Sequence, residues 1–212
     1  MRLYYHPLSA NARRAVMTAL YLEVPIELEL VELTKGGHRQ PSYLGKNPAG
    51  RVPVLEDDGF LLPESHAIMI YLADKTPGQK VYPADIRERA EVNRWMFWCS
   101  HHFMPAISVL NWENMVKPLI GLGEPNPAEL KRGETLVIEH AGLLDAHLAG
   151  REWIAGSALT LADLSAAAAL MTTAAAKLPV LQFANLQAWF GRMQRLEVWK
   201  KTMPVAPGAK AA

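Results

Sequence analysis

Asn47-Pro48-Ala49-Gly50-Arg51-Val52-Pro53-Val54-Leu55-Glu56-Asp57-Asp58-Gly59-Phe60-Leu61-Leu62-Pro63-Glu64-Ser65 is the stretch whose reading decides the fold. Asp57-Asp58-Gly59 lies between two short apolar runs, 52–56 and 60–62, and an acidic turn closed by glycine joins antiparallel strands into a hairpin. The chain enters the hairpin through Val52-Pro53, where proline marks a strand start or an edge. Sequence leaves the isomer of that bond open; a cis bond would turn the backbone groups of Val52 outward, toward an extended ligand. The chain leaves through Glu64-Ser65 into a helix over 65–73, with Ile68 and Leu72 on one side. At that start Ser65 reads as a cap and Glu64 as a charge complementing the helix dipole.

Toward the N-terminus, Leu3-Tyr4-Tyr5 is a short strand that stops at Pro7. Ala12, Ala15, Val16, Ala19 and Leu20 follow the i, i+3, i+4, i+7, i+8 rule of an amphipathic helix. Ile26, Leu28 and Leu30 alternate with Glu27 and Glu29, a strand with one solvated face. Residues 34–47 are polar, with room for a short helix near Tyr43-Leu44. Strand, helix, strand asks for a parallel pair with a crossover, whereas the hairpin is antiparallel. Residues 1–77 therefore read as a mixed four-stranded sheet covered by helices, the thioredoxin-like α/β arrangement.

Toward the C-terminus, Pro77, Gly78 and Pro83 punctuate a linker set at 78–86. Helical patterning then covers 87–104, 127–148, 161–177 and 185–199, so residues 87–212 read as an all-α domain without internal repeat. Thr160-Leu161-Ala162-Asp163 is a capping-box variant with Asp in place of the usual Glu. Trp112, Trp153, Trp189 and Trp199 are expected in the helical core.

Composition narrows the function. The 22 basic and 21 acidic residues nearly cancel, which argues against a nucleic-acid partner. A single cysteine, Cys99, excludes a disulfide framework, a CxxC pair and a thiolate zinc cluster. The longest uncharged stretch, 164–176, is too short to span a bilayer, and Met1-Arg2-Leu3-Tyr4-Tyr5 leads into patterned sequence with no apolar leader. A cytoplasmic protein without membrane or metal is expected. Adjacent His101-His102 diverge on a helix, and His140 and His147 are too widely spaced for a zinc clamp. GxSxG, Walker and GxGxxG motifs do not occur.

What remains is the loop His6-Pro7-Leu8-Ser9-Ala10-Asn11, which joins a strand to a helix N-terminus. Free N–H groups and the positive end of the dipole favour an anion there, and Ser9 and Asn11 add donors, one of them reading as the N-cap. If this helix start and the one at Ser65 face one crevice, a ligand with two anionic groups suits it.

These pieces, in this order, resemble the cytosolic glutathione transferase family across nearly the whole chain, and within it the serine-type, theta- and delta-like, bacterial members. Ser9-Ala10-Asn11-Ala12-Arg13 matches the serine motif, 47–55 the Asn-Pro…Val-Pro-x-Leu segment with its cis proline, and Pro63-Glu64-Ser65-His66-Ala67-Ile68 the Glu-Ser-x-Ala-Ile motif. Residues 156–163 resemble the family's buried capping box. The resemblance implies a glutathione transferase fold, glutathione as co-substrate and no metal. It implies further that Glu64 takes the ligand's ammonium and Ser65 its γ-glutamyl carboxylate. Val52, ahead of Pro53, pairs with the cysteinyl backbone, and His38 and Arg51 approach the glycyl carboxylate. Ser9 faces the sulfur, with Asn11 as the other candidate thiolate donor or else the helix cap. The implied activity is addition of glutathione to small hydrophobic electrophiles, a detoxification chemistry, with hydroperoxide reduction beside it and a homodimer as the assembly. Trp95, Trp98, His102, Phe103, Trp112 and Met115 are candidate walls for the electrophile, with core packing as their competing role. The zeta-type serine-cysteine motif is missing and Ala10 replaces the beta-type cysteine, so isomerase and mixed-disulfide chemistries are not expected. The alternative within the same fold is a non-catalytic ligand-binding or interaction module.

Overall fold

Alternation at Leu3 and Tyr4 sends one side chain to each face of β1 (Arg2–Tyr5), and in the computed structural model, which describes residues 1–204, this strand lies inside a four-stranded sheet. β2 (Glu27–Leu30) runs parallel to β1, with Leu3 opposite Leu28. β3 (Val54–Asp57) is antiparallel to β1 on its other side, and β4 (Phe60–Pro63) completes the hairpin, giving the order β2-β1-β3-β4. Asp58 and Gly59 both take positive φ, 49° and 85°, the pair a tight two-residue hairpin turn requires. α1 (Ala10–Tyr21) connects β1 to β2, α2 (Pro41–Leu44) precedes β3, and α3 (Ser65–Asp74) follows β4. Leu3 and Leu55 pack with Ala15, Val16 and Ala19 of α1 and with Ile68 and Leu72 of α3. On the other face Tyr4 and Val54 pack with Tyr43 of α2, Val31 and Val52.

β2 departs from expectation. Both of its faces are exposed, with Leu28 and Leu30 at 42% and 49%. The buried clusters centre on β1 and β3, and the outer strand lies beyond their cover.

The chain forms two compact units, Met1–Tyr82 together with the chain from Arg195 onward, and Pro83–Gln194. The sequence division instead ran the helical domain from 87 to 212, of which 205–212 lie outside the described residues. In the second unit α4 (Ile86–Trp98) does not stop near Met104. A π turn over Cys99–Phe103 carries it into α5 (Met104–Asn111), and a second over Trp112–Val116 into α6 (Lys117–Leu119). Each π turn lies just before a proline, Pro105 or Pro118. Proline cannot donate to the carbonyl four residues back and its ring crowds that carbonyl; the wider turn relieves both faults.

α7 (Pro127–Leu148) has the expected limits, with Asn126 accepting from the Ala128 N–H at 2.9 Å as its cap. A Cβ on Gly133 would lie 2.8 Å from the Leu110 side chain, so this glycine lets α7 approach α5. α8 (Leu161–Ala169) is shorter than expected and tightens into a 3-10 turn, Leu170–Thr172, where the Thr172 hydroxyl donates to Asn111 Oδ1. The helix expected over 185–199 is two, α9 (Ala184–Arg195) and α10 (Glu197–Lys201), because Leu196 is extended. Trp189 and Trp199 are buried as expected, but Trp112 is 44% exposed on the π turn. Among the described residues no helix is long and apolar enough to cross a membrane.

At the start of α8, Asp163 is wholly buried and accepts four hydrogen bonds. The Ile154 N–H and Trp189 Nε1–H reach Oδ1 at 2.9 Å, and the Thr160 N–H and hydroxyl reach Oδ2 at 2.8 and 2.9 Å. Burial raises its pKa from the ordinary carboxylate value, against the pull of those donors.

Candidate functional site

Ser9 is the N-cap of α1, in extended backbone conformation, with its Oγ accepting from the Ala12 N–H at 3.2 Å. This corrects the option of Asn11 as cap: Asn11 already lies inside the helix, where its side chain cannot reach back to the first N–H groups. A serine hydroxyl that accepts here still has its own proton to donate. The preceding loop is fixed by the Ser9 N–H donating to the His6 carbonyl at 3.0 Å and the Leu8 N–H to His6 Nδ1 at 3.2 Å. Burial lowers the pKa of His6 against an opposing pull from Glu32, so the ring is a neutral acceptor at Nδ1.

The segment before β3 is built by Asn47. Its Nδ2 donates to the Arg51 carbonyl at 2.8 Å, its Oδ1 accepts from the Ala49 N–H at 3.1 Å, and the Tyr43 hydroxyl donates to the same Arg51 carbonyl at 2.8 Å. With that carbonyl held inward, the Arg51 side chain stays exposed, and the following bond, Val52-Pro53, is cis. The backbone N–H and C=O of Val52 engage no other described backbone group. Gly50 has φ +59°, and a Cβ there would lie 3.0 Å from the His38 carbonyl and 3.1 Å from Arg39 Nη1. Only glycine lets the His38-Arg39 turn come so close.

The result is a crevice of about 350 Å³ lined by Ser9, Asn11, Leu33, His38, Arg39, Gly50, Arg51 and Val52. Five residues singled out in the sequence, Ser9, Asn11, His38, Arg51 and Val52, converge there. No lining residue is acidic, two are arginines, and His38 Nδ1 is buried without a partner. Together with the free N–H groups at the start of α1, this is a surface for an anion. Arg39 escaped the sequence reading; the signal available was a second basic residue beside His38.

Glu64 and Ser65 do not line this crevice. They follow β4, whose Pro63 pairs with Val54; continuing that antiparallel register puts Glu64 across from Pro53 and Ser65 across from Val52. Glu64 is exposed with φ 73° and ψ 109°, a left-handed conformation that costs a non-glycine residue about 1–3 kcal/mol and gathers at ligand sites. Ser65, buried, is the first residue of α3.

In the second unit, Trp95 and Phe103 are core residues, and Trp98 stacks on Phe103 with ring centroids 5.1 Å apart. His102 and Trp112 are exposed, and Met115 is half-buried. The His102 and His140 rings lie 5.7 Å apart, but among the described residues no three His, Cys, Asp or Glu side chains form a metal-binding group. Cys99 is buried, as befits a small apolar side chain.

Family models match in both halves: "Glutathione S-transferase, N-terminal domain" over residues 3–80 and "Glutathione S-transferase, C-terminal domain" over 101–197. Among curated relatives, the chain is 32% identical to glutathione S-transferase 3 of Zea mays over 98% of its own length and 95% of the relative's. It is 33% identical to glutathione S-transferase theta-2 of Rattus norvegicus, over 99% of this chain and 83% of the relative. Among solved structures, it resembles glutathione transferase F7 from Populus trichocarpa at a TM-score of 0.85 and 31% identity, covering 95% of this chain and 96% of the other.

Proposed function

The chain belongs to the glutathione S-transferase family, and on that premise we propose that it holds glutathione in the Ser9 crevice, stabilises the thiolate and adds it to small hydrophobic electrophiles. The observation that carries the reading is the convergence of Ser9, Asn11, His38, Arg51 and Val52 on one crevice at the N-terminus of α1. In this reading Glu64 takes the ligand's ammonium and Ser65, with its N–H, the neighbouring carboxylate. Val52, ahead of the cis proline, pairs with the cysteinyl backbone through groups left unused in the chain. His38, Arg51 and the added Arg39 meet the glycyl carboxylate. Ser9 faces the sulfur, with Asn11 beside it. No metal enters the chemistry.

The magnitudes are sufficient. A free thiol of pKa ~8.5 is only ~3% thiolate at pH 7. Lowering it by ~2 pH units needs ~2.7 kcal/mol of preference for the anion. One hydrogen bond to a charged sulfur supplies ~1.5–3 kcal/mol and a helix N-terminus up to ~2, so no general base is required. Ionisation alone accelerates at most ~30-fold, and less because a less basic thiolate is a poorer nucleophile. The larger share must come from holding the electrophile in line. Of the aromatic and methionine walls considered, His102, Trp112, Trp98 and Met115 retain exposure for that task. Hydroperoxides, attacked by the same thiolate, are a second substrate class, and the reading puts the protein in the cytoplasm.

Ser9→Ala should leave glutathione affinity nearly unchanged and raise the bound thiol's pKa by ~1–2 pH units, the loss of one charge-assisted hydrogen bond. Turnover below about pH 7 should fall tenfold or more and partly recover as pH rises. Because Ser9 is also the cap, the variant should lose about 1 kcal/mol of stability, whereas Asn11→Ala should lose none. Ultraviolet thiolate titration of each variant with glutathione bound decides: an unshifted pKa in Ser9→Ala with a raised one in Asn11→Ala transfers the role to Asn11.

The proposed assembly is an isologous homodimer. It is supported by large apolar side chains left exposed, Phe60 in the first unit and Ile86 and Phe97 in the second. Sedimentation at micromolar concentration should give twice 23.5 kDa; a species of the single-chain mass would refute it.

A further inference from the structure

A second cavity in the first unit, of about 470 Å³, shares no residue with the Ser9 crevice. Val16 and Leu20 of α1, the exposed Leu28 of β2 and Met203 after α10 make most of it apolar. Its size and character are those of a small-molecule pocket. The polar wall is cationic. Arg13 is 3% exposed, stacked with its guanidinium carbon 3.7 Å from the centroid of the Trp199 ring. Its Nε donates to the Thr202 hydroxyl at 3.0 Å, and its Nη2 to the Trp199 carbonyl at 2.9 Å and to Met203 Sδ at 3.1 Å. Nη1 is buried with no partner.

No carboxylate compensates this charge. None of the lining residues is acidic, and the cavity's other strong cation, Lys201, adds to the same sign. Glu32 acts on His6 in the wall, but burial alone acts on Arg13, pulling its pKa down to about 10. At neutral pH the guanidinium is therefore still charged. A buried cation without a counter-ion is an unsettled account that an anion closes, and the apolar walls select what accompanies the anion.

We propose that this cavity binds an amphipathic organic anion, a carboxylate or sulfonate on a short aliphatic or aromatic body, with its head toward Arg13 and Lys201 and its body along Val16, Leu20 and Leu28. The site is separate from the catalytic crevice, and its ligand is not a substrate.

The test is calorimetric titration of the full chain with sodium decanoate, with decyltrimethylammonium as the cation of equal length. Decanoate should bind saturably, one per chain, and the cation should not. Saturating glutathione should leave decanoate binding unchanged; displacement would move the anion to the Ser9 crevice and overturn the proposal. Arg13 is too deeply built into the Trp199 stack for its variants to be read cleanly, so the walls are changed instead. Leu28→Asp on β2 and Lys201→Glu on α10 each put a carboxylate at the cavity and should weaken decanoate by about tenfold or more, with Leu28→Asn losing less. Glutathione conjugation should be unaffected in all three. Wild-type affinity in both charge variants, equal binding of the cation, or no saturable binding of decanoate would each sink the proposal.

Discussion

Replacing Glu64 by alanine should weaken glutathione binding by about 2–5 kcal/mol, the cost of removing one partner of a charge pair that the ligand desolvates. The loss should lie near the lower end, because Glu64 is exposed before the ligand arrives and its carboxylate is not already committed to a buried partner. At about 2 kcal/mol the dissociation constant rises roughly 30-fold. The thiol's pKa in the bound state should stay as in the parent, since Glu64 lies at the far end of the site from the start of α1. The backbone offers an independent check. Glu64 holds φ 73°, and that strain has no counterpart in packing, for its side chain is exposed. Glu64→Gly should then relieve strain, matching or exceeding parent stability, while binding glutathione as poorly as the alanine variant. Parent affinity by calorimetry in either variant would mean that the ammonium is held by another residue.

The separation between strain and side chain shows what the sequence made legible. Alternation at Leu3-Tyr4 and Val54-Leu55, the Asp58-Gly59 turn and the Pro127 start of α7 are local signals, and the structure follows each of them. The crevice was legible because Ser9, the Val52-Pro53 step and the Glu64-Ser65 start mark chain turns that side-chain chemistry announces. What escaped depends on contacts between distant segments. Pro105 and Pro118 read as helix ends, yet each is absorbed by a π turn because the helix on both sides is held by packing, as at Leu110 against Gly133. Arg39 enters the crevice only because Gly50, eleven residues on, lacks a Cβ. The exposure of Leu28 and Leu30 follows from strand order, which their alternation with glutamates cannot convey.

The largest loss of stability is expected at a residue far from any ligand. Asp163→Ala should destabilise the protein by about 3–5 kcal/mol, the range for removing the acceptor from a buried charged network. The alanine leaves the Ile154 and Thr160 N–H groups, the Thr160 hydroxyl and the Trp189 Nε1–H without their acceptor, at a wholly buried site. Each stranded donor costs about 1–3 kcal/mol unless water enters. An ordinary N-cap contributes only about 1 kcal/mol, so the size of the loss separates a cap from a junction. Asp163 is a junction: it ties the start of α8 to the turn at Ile154 and to Trp189 on α9, three segments with no other shared polar group in this set of bonds. Thr160→Val tests the partition, since it removes one donor, keeps the shape and leaves the carboxylate three partners; its loss should be about 1 kcal/mol. Urea unfolding of the two variants reads both numbers. A loss near 1 kcal/mol in Asp163→Ala would show that water replaces the carboxylate, and the site would then be a helix cap and nothing more.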